Sequence, residues 1–92
     1  MIKSFKHKGL EKFYYKGDSS KLNKDHVDKI SLVLSVIANA KTVEDTNFPG
    51  SDWHKLKGNR KNTYSVAIRA NWKITYEFYD GNAYILDYED YH

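Results

Sequence analysis

The chain has no cysteine, which excludes disulfides and thiolate metal sites and fits a reducing cytoplasm. Its opening, MIKSFKHKGLEKF, holds no apolar run long enough for a signal peptide, and no segment is long enough to span a bilayer. No membrane partner is expected. Internal repeats and low-complexity stretches are absent. No helix-turn-helix pattern is visible, and the basic residues cluster where strands are predicted, which disfavours a DNA-associated regulator. Two further absences concern charge of one sign. Residues 53–75 contain no Asp or Glu, and residues 76–92 contain no Lys or Arg.

What is present is small and patterned. Ninety-two residues suit one domain spanning 1–92. Hydrophobic residues are 40% and aromatics 15%, enough for a small core with eight tyrosines supplying bulk. Tyrosine keeps a polar tip, so part of this set belongs at the core margin or on a binding surface. The net charge of +3 divides into alternating blocks: +5 over residues 1–24, −3 over 25–52, +6 over 53–75 and −5 over 76–92. Such patterning favours a polyanion partner over simple solubility tuning.

The periodicity predicts the elements. Residues 2–5 suit a short first strand. Leu10, Phe13 and Tyr14 share one helical face, and Gly17 is placed to end that helix. Val27, Ile30, Val33, Leu34, Ile37 and Ala40 form an apolar stripe about four turns long, with Asn23 or Asp25 as the cap. Residues 42–52, with Phe48-Pro49-Gly50, read as a linker or short irregular turn. The period then changes to two. Tyr64, Val66 and Ile68 alternate with polar or small neighbours, as do Trp72, Ile74, Tyr76 and Phe78. Ala70-Asn71 suits a tight hairpin, Asp80-Gly81 is a type I′ signal, and residues 83–88 make the last strand. The fold class is α+β, with helices segregated from an antiparallel sheet.

Alternation puts Arg69 and Lys73 on the face opposite Tyr64, Val66, Ile74 and Phe78. With helices on the apolar face, an open face bearing Lys, Arg and Tyr would suit RNA. Among the histidines, His7 and His26 read as surface residues. His54 enters the basic stretch, and His92 ends the chain. No ligand spacing argues for a metal site built from His54, Asp90 and His92. Metal-free RNA cleavage through the 2′-hydroxyl needs a base, an acid and cations near the phosphate. Histidine suits the proton transfers near neutral pH, Lys57, Arg69 and Lys73 suit the phosphate, and Asp90 can orient a histidine.

The runs HKLKGNR at 54–60, YSV at 64–66 and IRANWKI at 68–74 resemble the HigB group of bacterial RelE-like toxins. So do the opening IKSF at 2–5 and the ending DYEDYH at 87–92. The similarity covers nearly the whole chain and is densest after residue 53. It implies a RelE-like fold: a short N-terminal strand and two helices packed on one face of an antiparallel sheet of about four to five strands. It also implies a ribosome-dependent mRNA endonuclease, the toxin half of a toxin–antitoxin pair. The family cleaves mRNA in the ribosomal A site by the 2′-hydroxyl route, with no metal and no cofactor.

Carried over by motif, the catalytic positions are His54, Lys57, Lys73, Asp90, Tyr91 and His92. RNA-binding residues around them are Lys55, Arg60, Lys61 and Arg69. Where the family usually has Arg, this chain has Lys73, a point charge in place of a planar bidentate fork. The implied partners are a helix-turn-helix antitoxin of HigA type and the ribosome with its A-site mRNA. Operator DNA enters only indirectly, through the antitoxin. The competing reading is a non-catalytic RNA- or ribosome-binding module.

Overall fold

The apolar stripe beginning at Val27 folds as expected into α2 (Val27–Asn39), which buries Ile30, Val33, Leu34 and Ile37. The computed structural model describes residues 1–58 and 62–90. Before α2 lies a 3-10 turn, Lys24–His26, and Asn23 is its cap, its side-chain oxygen accepting from the Asp25 amide at 3.0 Å. Helix α1 (Lys8–Lys16) begins at His7, whose Nδ1 accepts from the Leu10 amide at 3.1 Å. It ends at Gly17, where φ is 72° and a side chain would be strained.

Among the described residues the sheet has four antiparallel strands in sequence order: β1 (His54–Lys55), β2 (Thr63–Arg69), β3 (Trp72–Tyr79) and β4 (Asn82–Asp90). Asp80 and Gly81 both have positive φ, as the type I′ turn between β3 and β4 requires. The expected first strand is present as two isolated bridges, Ile2 to Ala83 and Phe5 to Leu86, running parallel to β4. Both helices cover one sheet face. There Leu10 and the α2 stripe meet Val66, Ile68, Ile74, Tyr76, Phe78, Ala83 and Leu86. Fully burying each large apolar side chain stabilises the fold by about 1.5–3 kcal/mol. Among the described residues no helix is long and apolar enough to cross a membrane.

Two irregularities decide which side chains share a face. Between Thr75 and Glu77 the pairing of β3 with β4 slips by one residue, and Ile85 adopts φ 57°. This bulge lets Ala83 and Leu86, three residues apart, both reach the core, while Ile85 is left 44% exposed. The second slip lies between Ala67 and Arg69. Ala67 pairs with Lys73, but Arg69 pairs with Trp72. Strict alternation had set Arg69 and Lys73 on one face; the bulge moves Arg69 out of that row.

Of the two readings for residues 42–52, linker or short irregular turn, the structure has the turn. Val43–Thr46 forms a 3-10 turn, and Asp45 Oδ2 accepts from the Lys41 and Thr42 amides at 3.0 and 3.1 Å. These amides, Thr42 foremost, hold the Asp45 carboxyl below the usual carboxylate range.

Candidate functional site on the open sheet face

Trp53 determines where His54 points. Its ring stacks on Tyr64 with centroids 5.4 Å apart, and its Nε1 donates to Thr46 Oγ1 at 3.0 Å. Tyr76 donates its hydroxyl to the same Thr46 oxygen at 2.6 Å. Trp53 is thereby pinned on the helix-covered side. Its successor, one residue further into a strand, must face the other way.

On that open face His54 pairs with Ser65, Ser65 with Thr75, and Thr75 with Asp87, a row crossing all four strands. The next row is Ala67, Lys73 and Glu89. His54 and Lys73 thus occupy the same face, two strand spacings and one pleat repeat apart, about 12 Å between backbones. Both side chains are long enough to converge on one phosphate. The centre of the face is made of short buried hydroxyls: Ser65 and Thr75 are each 1% exposed. The Ser65 Oγ is a buried oxygen with no hydrogen-bond partner among the described residues. Beside this row Lys6, Thr63, Thr75, Glu77, Ile85 and Asp87 line a hollow of about 190 Å³.

Lys57 is exposed just past β1. Lys55 is exposed on β1 opposite Tyr64, on the other face from His54. Asp90 ends β4 opposite Trp72 and is exposed, so register sets it beside Trp72 while Glu89 faces Lys73. Tyr91, His92, Arg60 and Lys61 lie outside the described residues.

The face is not the basic platform expected. Lys73 shares it with Glu77, Asp87 and Glu89, because β4, with its acidic composition, is the partner of β3. Lys6 reaches Asp87 at 3.9 Å, and Thr75 Oγ1 donates to Glu89 Oε2 at 2.5 Å. Asp52 also escaped the sequence reading. Its Oδ1 lies 3.1 Å from His54 Nε2, and its φ of 46° turns the chain into β1. An acid two residues before His54 was the visible signal.

The two histidines read as surface residues are neither free nor exposed. His7 is the half-buried cap of α1. His26 is 5% exposed, with Nδ1 2.6 Å from the Tyr88 hydroxyl and its ring edge-on to Trp72. Their polar, Lys- and Asp-rich sequence surroundings hid the fact that β4 and Trp72 close over the start of α2.

Comparison with known proteins agrees with this architecture. Residues 3–92 match the HigB-like toxin family, described as the RelE-like toxin of type II toxin–antitoxin system HigB. A relative from Proteus vulgaris, Endoribonuclease HigB, is 47% identical over 92 residues, covering all of both chains. Among solved structures, a YafQ mutant from E. coli superposes with a TM-score of 0.61 at 15% identity, over 92% of this chain and 86% of that one. The YoeB–YefM complex from Staphylococcus aureus gives 0.61 at 23% identity, over 97% and 95%. At these identities the structural likeness speaks for the fold, and the sequence match speaks for the family. The chain belongs to the HigB-like family of RelE-like toxins of type II toxin–antitoxin systems.

Proposed function

We propose that this chain is an endoribonuclease that cuts mRNA in the ribosomal A site, without metal, and so stops translation in the cytoplasm. The observation that carries the reading is the placement of His54 and Lys73 on one open sheet face, with no helix over it among the described residues. A full-length relative at 47% identity that is named as an endoribonuclease supports it.

The chemistry needs few groups. A base takes the 2′-hydroxyl proton, O2′ attacks phosphorus, the bond from phosphorus to O5′ breaks, and an acid protonates the departing O5′. His54 and His92 carry the proton transfers, since imidazole exchanges a proton readily near neutral pH. Lys57 and Lys73 bear against the charge that grows on the phosphorane. Asp90 orients its neighbours, and Tyr91 stacks on or positions a nucleotide. Lys55, Arg60, Lys61 and Arg69 hold the flanking backbone of mRNA or ribosomal RNA. A surface mixing acids with cations is a poor general RNA binder, which suits an enzyme whose substrate is presented by the ribosome. The second partner is a helix-turn-helix antitoxin, through which alone the toxin meets operator DNA.

The test is primer extension on mRNA in a translating extract, with wild type, His54→Ala and His92→Ala. Codon-positioned cuts that need ribosomes and vanish in the variants are expected. Intact mRNA with retained ribosome binding would instead mark a non-catalytic binding module.

A further inference from the structure

Of the acids on the open face, Glu89 is the one set directly against Lys73, and the cleavage chemistry gives it no part. Glu89 lies directly across from Lys73 in the antiparallel pairing of β3 and β4, on the same side of the sheet. Directly opposed residues hold their Cβ atoms about 4.5–5.5 Å apart, within easy reach for a lysine and a glutamate. Glu89 is also fixed from a second direction. Thr75, two residues beyond Lys73 on the same strand and 1% exposed, donates its hydroxyl to Glu89 Oε2 at 2.5 Å. A carboxylate has two oxygens and about four acceptor sites, so it can hold Thr75 and an ammonium together.

Charge alone makes this arrangement costly for a surface that meets RNA, because a carboxylate repels the phosphate that Lys73 attracts. The arrangement is explained if the carboxylate sets the direction of the cation. Lysine is a point charge on a flexible four-carbon stem, without the preorganised planar fork of arginine. A lysine that serves a developing phosphorane must be held at one place, because misplacement by about 1 Å can cost on the order of a hundredfold in rate.

We propose that Glu89, anchored by Thr75, is a positioning residue that aims the Lys73 ammonium at the scissile phosphate. This rests on the reading of Lys73 as the phosphate-binding cation. Glu89 acts through Lys73 and touches no substrate atom.

The experiment measures single-turnover cleavage of mRNA on programmed ribosomes together with toxin–ribosome affinity. The variants are Glu89→Gln, Glu89→Ala, Thr75→Ser, Thr75→Val, Lys73→Ala and the Glu89→Ala/Lys73→Ala double. Glu89→Ala should slow cleavage on the order of tenfold to a hundredfold while ribosome affinity holds or rises, since a negative charge has gone. Thr75→Ser should keep the wild-type rate, and Thr75→Val and Glu89→Gln should fall between. In the Lys73→Ala background the Glu89 change should have no further effect. Glu89→Ala at full rate would overturn the proposal, as would an equal loss with and without Lys73. Should Glu89→Ala fold poorly by circular dichroism, the near-isosteric Glu89→Gln carries the comparison.

A second measurement needs no catalysis. Lysine side-chain nitrogen NMR of the free toxin should show the Lys73 ammonium signal shifted or lost in Glu89→Gln. An unchanged Lys73 signal would overturn the pairing itself. A wild type that leaves mRNA intact while its Lys73 signal still depends on Glu89 would sink only the nuclease reading.

Discussion

His26 Nδ1 and the Tyr88 hydroxyl lie 2.6 Å apart although 62 residues separate them. The contact joins the turn that starts α2 to the last strand, two residues before Asp90 and beneath Trp72, whose ring stacks on Tyr88 at 4.5 Å. His7 adds an edge-on contact to Tyr88 at 5.5 Å. The end of β4, on which the proposed C-terminal catalytic residues follow, is therefore clamped by a buried polar pair.

Breaking that pair from one side leaves a buried polar group unsatisfied. His26→Phe and Tyr88→Phe should each cost about 1–3 kcal/mol, and the double variant less than their sum. Urea denaturation of the four proteins measures the coupling. Strict additivity would show that the contact contributes nothing.

Gly9 offers a case where helix propensity and packing disagree. An alanine inside α1 should gain up to about 1 kcal/mol over glycine on propensity alone. Here its Cβ would sit 2.6 Å from Lys21 Cβ and 2.8 Å from the His7 ring. Lys21 Cβ cannot swing away without its backbone, and moving His7 breaks the α1 cap. Gly9→Ala should lose about 1–3 kcal/mol net. A melting temperature equal to wild type would refute the crowding.

Tyr76 gives an alkaline signature. Burial pushes its phenol up from 10.0 to about 12, against the smaller opposing effect of hydrogen bonds with Thr46 and Trp53. The folded state favours the neutral phenol, so the stability it contributes is complete below about pH 10. That contribution declines as pH rises from about 10 through 12, by roughly 2–3 kcal/mol in all. Tyr76→Phe should flatten this part of the stability curve while losing about 1 kcal/mol at neutral pH. Equal slopes for the two proteins would contradict the assignment.

Lys73→Ala should lower cleavage far more than ribosome binding, on the order of a hundredfold or beyond if its cation meets the transition state. Lys73→Arg should retain most of the activity, since the charge persists and a bidentate grip becomes available. Paired rate and affinity measurements decide the matter. Equal losses in both for Lys73→Ala would show that the residue only anchors the toxin.

Local order was legible in the chain itself. The stripe from Val27 to Ala40, the Gly17 stop, the Asp80-Gly81 turn and the period-two runs each depend on neighbours within a few residues. The family motifs were legible for the same reason, as short contiguous strings around His54, Lys73 and Asp90. His54 even reveals its face locally, because Trp53 beside it is a large aromatic that must be covered.

What the tertiary structure decided is which local pieces oppose one another. Charge blocks are one-dimensional, and pairing β3 with β4 lays an acidic block against a basic one, turning an expected basic platform into a mixed face. A one-residue slip moves Arg69 away from Lys73, and another carries Ala83 inward while Ile85 stays out. His26 is buried only because a strand from the far end of the chain closes over it. In each case sequence pattern specifies what a residue prefers, whereas non-local register and burial specify what it meets, and this site is made of such meetings.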